Sequence, residues 1–313
     1  MDISIASASI DDTAATPGLV DDLVDDVSPE EAYDLGLVAR VAGPSLADEV
    51  EEYFERGARV AKGAVVFDVG ANVGAFAAAV VARTGPDVTL HCFEPAGPSY
   101  STLEKCFSEH DALRTSRHEL HPVALTRPEL DGTEMPFYYF SRFPTDSTYD
   151  IEHKKTEFRA FFIKKAREID ASLSKIPLLG RLMGAAVKSV IGYVCHPENR
   201  FGVWLAWKVT GMRVLKCQLS SLESIVLSRG IPQIDLLKID VEGAELDVLS
   251  GCGEAWTRIR QVAIETDERD GRADQIKRLL TRHGFRITSC AAPKVAADGD
   301  ARQVLIVAKR SAA

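Results

Sequence analysis

Val65-Val66-Phe67-Asp68-Val69-Gly70-Ala71-Asn72-Val73-Gly74 is an apolar run that ends in an acid and breaks into alternating glycines. Val65 to Phe67 have the β-branched, apolar character of a strand covered on both faces. Gly70 and Gly74 allow a sharp turn and the close approach of a ligand to the backbone. An alanine-rich stretch from Ala75 to Arg83 follows and ends before Gly85, so the glycines mark the handover from a strand to a helix. The spacing separates two cofactor classes. A dinucleotide fold presents G-x-G-x-x-G, with the pyrophosphate resting on the helix N-terminus; this chain reads D-x-G-x-N-x-G. Asp68 at the strand end repels a pyrophosphate and suits a ligand bearing an amine and a sulfonium, which points to S-adenosylmethionine.

A second apolar run, Val88 to Phe93, ends in Glu94-Pro95. A carboxylate at the end of the second strand is placed to accept hydrogen bonds from both ribose hydroxyls. Upstream, Ala47 to Val60 has an amphipathic helical pattern. Downstream, Pro98 opens a helix running to about His110, and a third strand is expected through His118 to Leu125. Val123 and Ala124, at the end of that segment, are expected to border the cofactor.

The alternation resumes at Ile234-Asp235-Leu236-Leu237-Lys238-Ile239-Asp240, a fourth strand ending in an acid, with a helix opened by Val241-Glu242-Gly243-Ala244-Glu245 and closed near Gly251. Arg260 to Thr266 reads as a fifth strand, Ala273 to His283 as a helix stopped by Gly284, and Phe285 to Cys290 with Gln303 to Ala308 as a terminal hairpin. The expectation is an α/β fold with a mostly parallel seven-stranded sheet, helices on both faces and a long, partly helical insertion between the third and fourth strands.

The whole chain sets further bounds. Its 313 residues, 46% apolar and 27% charged, are ordinary for a globular protein. Six cysteines lie scattered with no C-x-x-C pair, which predicts reduced thiols and a cytoplasmic setting. The N-terminus lacks the basic-then-apolar layout of a signal peptide. Residues 1–27, rich in Asp, Ala and Thr, read as a disordered lead-in to a domain spanning 28–313. The net charge of -9 conceals an asymmetry: Met1 to Val60 carries a net -12 and Asp150 to Lys216 a net +7. The basic stretch reads either as solvated helix faces or as a surface for an anionic partner.

Residues 127–216 are too many for a structureless loop, and are expected to form a lid or acceptor-binding subdomain. Leu178, Leu182, Met183, Val187, Val190 and Val194 fall on one helical stripe. The stripe reads as core or lid, as a hydrophobic substrate wall or as an interfacial membrane contact; its two charges and leading proline argue against a transmembrane span. Phe137 to Phe140 reads as a strand, and Asp146-Ser147-Thr148-Tyr149 after it as a lining of the acceptor pocket. The overall acidity argues against nucleic acid as substrate.

The glycine motif, Phe93-Glu94-Pro95 and above all the run from Ile234 to Glu245 resemble the FkbM family of S-adenosylmethionine-dependent methyltransferases. The resemblance covers about Ala64 to Leu125 and Lys216 to Thr266. It implies a class I methyltransferase (Rossmann-like) fold and, in most members, O-methylation of a hydroxyl on a polyketide, peptide or saccharide product. The long basic segment departs from much of the family, so the acceptor is the least transferable implication.

Methyl transfer to an alcohol needs alignment of the reacting atoms and a proton acceptor. Asp240, His121 and His196 are the candidate bases. Asp68, Gly70, Asn72, Gly74, Glu94, Val123, Ala124, Asp240 and Glu242 are the candidate cofactor residues. Lys238 is expected on the same face as Asp240. Asp240 and Glu265, with hard oxygen donors, would be the ligands of any divalent metal, which is not expected, while Glu242 and Glu245 also suit a helix N-terminus. The acceptor is expected to be a small molecule, hydrophobic or anionic, free or held on an acidic carrier protein. A nicotinamide-dependent oxidoreductase and a noncatalytic cofactor-binding module are the rival readings.

Overall fold

The computed structural model describes residues 35–142, 144, 147–148, 208, 211–268, 271–292 and 303–310, most of the unit Asp34–Ala313. Two helices lead in, α1 (Leu35–Ala42) and α2 (Pro44–Glu55). Then come β1 (Val65–Val69), α3 (Ala75–Thr84), β2 (Thr89–Phe93), α4 (Gly97–Glu109), α5 (Asp111–Thr115), β3 (Arg117–His121), β4 (Val123–Leu125) and β5 (Glu134–Phe140). After the undescribed stretch follow β6 (Met212–Ser220), α6 (Leu222–Ser228), β7 (Leu236–Ile239), α7 (Glu245–Ser250), β8 (Gln261–Asp267), α8 (Arg272–Arg282), β9 (Phe285–Ala291) and β10 (Gln303–Arg310).

The main sheet has seven strands in the order β3-β2-β1-β7-β8-β10-β9, parallel except for β10, which runs antiparallel to both neighbours. The order reverses between β1 and β7, and ligands of such sheets bind at the carboxyl ends beside that switch point. Alternate side chains feed two apolar layers. Val66, Leu90, Cys92, Leu236 and Ala263 pack under α1 to α5, with Tyr53, Phe54 and Phe76 among their partners. Phe67, Val69, Phe93, Leu237, Ile239 and Ile264 pack under α6, α7 and α8 on the other face. Helices thus cover both faces, and the terminal antiparallel pair stands where the sequence placed it.

One strand differs from expectation. The segment from His118 to Leu125 is not a single third strand: β3 ends at His121, and Val123 to Leu125 belongs to a separate three-stranded sheet, β4-β6-β5. Pro122 supplies the reason, since it has no N–H for a ladder and interrupts the pairing. Met212 to Ser220, largely assigned to the insertion from sequence, is strand β6, parallel to β4 and antiparallel to β5. The second sheet has its own small core of Ala96, Ala124, Phe137, Tyr139, Cys217 and Leu219. The stripe from Leu178 to Val194, the cationic residues 150–200 and the lead-in 1–27 lie outside the described residues.

Candidate cofactor and active site

The turn after β1 is set by protein contacts. Gly70 has φ +80°, and a Cβ there would stand 1.8 Å from the carbonyl oxygen of Asp240. Gly74 has φ +92°, and its Cβ would meet Leu103 Cδ1 at 3.0 Å. The glycines were expected to admit a ligand; in the structure their missing side chains also admit the neighbouring β7 turn and helix α4. Asn72 completes the turn in the left-handed region at φ 47°.

Glu94, just past β2, faces this turn. Its Oε2 accepts from Asn72 N at 2.9 Å and its Oε1 from Ala96 N at 2.8 Å. Burial pushes its carboxyl up to about 7, against the two backbone donors, which pull it down. Each oxygen keeps a further lone pair for a hydroxyl donor.

Asp68 is completely buried on the α3 side of β1, level with Lys238 on β7. Lys238 Nζ lies 3.1 Å from Asp68 Oδ1 and 3.5 Å from Asp240 Oδ2, and donates to the Gly70 carbonyl at 2.9 Å. Asp68 and Lys238 thus form a buried ion pair, while the buried Asn72 Oδ1 lacks a hydrogen-bond partner. Burial works against the Lys238 charge, but Asp68 and Asp240 outweigh it and hold the ammonium above an ordinary lysine. Asp68, read from sequence as a partner for a ligand amine, thus has its counter-ion inside the protein.

Asp240 stands half-exposed at the mouth of the sheet, past the end of β7, with its N–H bonded to the Val69 carbonyl. Glu265 on β8 is its neighbour, and accepts from the hydroxyl of Tyr53 on α2 at 3.1 Å. Burial, then Asp240 and Glu242, push Glu265 up to about 8. Burial and Asp240 likewise raise Glu49 on α2, and burial with Asp240 and Glu265 raises Tyr53. Asp68, Asp240 and Glu265 all act on Lys238, and Glu49 and Glu242 add to the negative charge around Asp240 and Glu265, an environment that favours a cationic guest. Tyr53 and Glu49 escaped the sequence reading, because nothing in an amphipathic helix separates a site tyrosine from a core one. Lys238 was legible as a cation inside an otherwise apolar strand.

The remaining candidates are scattered. Glu242 turns in the left-handed region at φ 49°, and its carbonyl accepts from Thr148 Oγ1 at 2.9 Å. Val123 and Ala124 lie in β4, half-buried and buried. Thr148 is buried and bridged to Tyr138 of the second sheet, while Asp146 and Tyr149 on either side lie outside the described residues. Glu245 accepts from Gly243 N at 2.8 Å and pairs with Arg272 at 3.2 Å, an internal structural role. His121 is buried on the α6 side, stacked on Phe93 at 4.4 Å and bonded to His91. Burial holds its imidazole down at about 4, a weak base. His196 lies outside the described residues.

The strand order, the β1 turn and the acid after β2 form the frame of a class I methyltransferase. Residues 201–287 match the methyltransferase FkbM domain. Methyltransferase sdnD of Sordaria araneosa is 30% identical over 224 residues, covering 71% of this chain and 74% of that protein. This chain belongs to the FkbM methyltransferase family. The 31-O-demethyl-FK506 methyltransferase FkbM of Streptomyces tacrolimicus is 29% identical over 76% of this chain and 78% of its own length. The AMB antimetabolite synthetase AmbE of Pseudomonas aeruginosa is 29% identical over 82% of this chain, which spans only 11% of that protein. As an FkbM-family methyltransferase the chain is an S-adenosylmethionine-dependent enzyme, and the nicotinamide and noncatalytic readings fall away. No helix among the described residues is long and apolar enough to cross a membrane.

The FkbM-family site fits its cofactor on the chain's own evidence. The buried Asn72 Oδ1 at the turn, which has no hydrogen-bond partner, calls for a ligand with a donor, and the acid-rich mouth suits a sulfonium. Glu94 raised to about 7 gives a pH test. A carboxyl raised on folding stabilises the protein below its unfolded value and loses that contribution as pH rises through about 7. With Glu94 as acceptor for the ribose hydroxyls, as the sequence reading expects, binding would favour the ionised form, and S-adenosylhomocysteine should bind more tightly as pH climbs from 6 to 8. Calorimetric titration checks this; Glu94→Gln should flatten the rise.

Proposed function

We propose that this enzyme methylates a hydroxyl group on a small-molecule natural product. The carrying observation is the half-exposed Asp240 beside the Tyr53–Glu265 pair at the switch point of the sheet. Two relatives carry names that fit: one acts on 31-O-demethyl-FK506, and one is an antimetabolite synthetase. S-adenosylmethionine, when bound, supplies an electrophilic methyl on a sulfonium. Glu94 and the Asn72 turn hold the nucleoside end. Lys238 fixes the Asp240 carboxylate, which takes the hydroxyl proton directly or through one water. Glu265 receives the Tyr53 hydrogen bond and keeps α2 seated over the mouth. Residues 127–216 serve as the acceptor-binding part, and their basic stretch suits an anionic acceptor or an acidic carrier protein.

Asp240→Asn should lower turnover by roughly 10²–10⁴-fold and leave S-adenosylhomocysteine affinity within a few-fold. Mass spectrometry of a panel of hydroxylated polyketides, peptides and saccharides reads the product. Methylation of amines in place of hydroxyls, or full turnover by Asp240→Asn, would reject the proposal.

A further inference from the structure

On the face of the sheet away from Asp68 and Lys238, His91 of β2 and Glu119 and His121 of β3 bring their donor atoms within 4.8 Å of one another. His91 Nδ1 is 3.2 Å from His121 Nε2 and 3.8 Å from Glu119 Oε2. Two nitrogens bound to one tetrahedral zinc, at metal–nitrogen distances of about 2.0–2.1 Å, stand roughly 3.3 Å apart. The imidazole pair therefore already has the right separation, and the Glu119 carboxylate is the third donor within 4.8 Å of both.

We propose that His91, Glu119 and His121 form a zinc(II) site with an open fourth position. Both histidines are buried, with the ring of His121 clamped against Phe93 and that of His91 against Phe67. Such clamping restricts their rotamers before any metal arrives. Glu119 is partly exposed and gives the ion a route in from solvent. Arg229 Nε donates to Glu119 Oε1 at 2.6 Å, which leaves Oε2 directed at His91. A second partner that orients a ligating carboxylate is a usual feature of metal sites. The single proton bridging the two rings moves to the other nitrogen of its own ring when the metal enters, so both bridging nitrogens present lone pairs and no proton need leave. Two imidazoles and one carboxylate suit zinc better than calcium or magnesium, which take all-oxygen sets. Neither the methyl donor nor Asp240 takes part in this site.

The test uses the whole protein stripped with a chelator and titrated with zinc(II) alone, or cobalt(II) as its coloured substitute. One equivalent should bind, raise the unfolding temperature and, with cobalt, give the visible absorption of a nitrogen- and oxygen-ligated ion. Glu119→Gln should weaken binding at least tenfold, and His121→Phe, which can keep the stack on Phe93, should abolish it. Should His121→Phe not fold, ring nitrogen resonances of the wild-type protein serve instead: zinc must shift those of His91 and His121. Unchanged stoichiometry and affinity in folded variants, or shifts confined to other histidines, would overturn the proposal.

Discussion

Replacing Lys238 by methionine should lower stability by about 3–5 kcal/mol at neutral pH, because it leaves the Asp68 carboxylate buried without a counter-ion. Asp68 has no exposed surface, and Lys238 is the cation 3.1 Å from it. Asp240, partly solvated, tolerates the loss far better. The sign of the pH dependence follows from Asp68. Burial already raises its carboxyl, and Lys238 pulls it back. Without the lysine its folded value climbs further, so the deficit should grow as pH rises and shrink as acid protonates the group. The double variant Asp68→Asn/Lys238→Met should recover much of the loss, since no unpaired charge remains. Urea unfolding of the four proteins at two pH values reads all of this. Additive losses in the double variant would show that the pair is not coupled.

Gly70→Ala should be the most damaging single-carbon addition in the described fold, costing more than about 4 kcal/mol or preventing folding. Its Cβ would stand 1.8 Å from a backbone oxygen of Asp240, and backbone on adjacent parallel strands does not swing aside. Conformation alone is a smaller term. Gly85 and Gly132 also have positive φ, and a Cβ at either would find nothing within 4 Å. Alanine at either should cost only about 1 kcal/mol. Gly74, facing a flexible leucine tip at 3.0 Å, should fall between. Denaturant midpoints of the four variants test the ranking, and equal losses at Gly70 and Gly85 would contradict it.

The parts of the fold that were legible in the sequence share one property: a strand buried on both faces writes a largely apolar run. β1, β2, β7 and β8 do so, and each ends at a glycine or an acid. β6 does not. Only Cys217 and Leu219 of its nine residues are fully buried, and exposed Arg213, Lys216 and Gln218 make it read as part of a basic insertion. The break at Pro122 was legible, yet five well-patterned residues on one side and three on the other mask it as one strand. The site divides in the same way. Glu94 and Asp240 stand at strand ends, where position is tied to the ladder. The pairing of Asp68 with Lys238 depends on β1 lying beside β7, far away in sequence, and Tyr53 reaches Glu265 from a lead-in helix across 212 residues. Side-chain partnerships of that range follow from topology, and a single sequence carries no mark of them. The same holds for His91, Glu119 and His121, which come together through the register of β2 with the edge strand β3.

Glu94 is the residue on which the proposed cofactor placement bears most directly, because it stands just past β2 with each oxygen bonded to one backbone donor and open to a hydroxyl. Titration of S-adenosylhomocysteine at pH 8 into wild-type protein and Glu94→Gln, with folding checked by circular dichroism, measures its part. The expected result is one site in the wild type and a loss of at least about tenfold in the variant, the effect of one weakened charge-assisted hydrogen bond. Equal affinity in a folded Glu94→Gln would contradict the placement of the cofactor across the ends of β1 and β2.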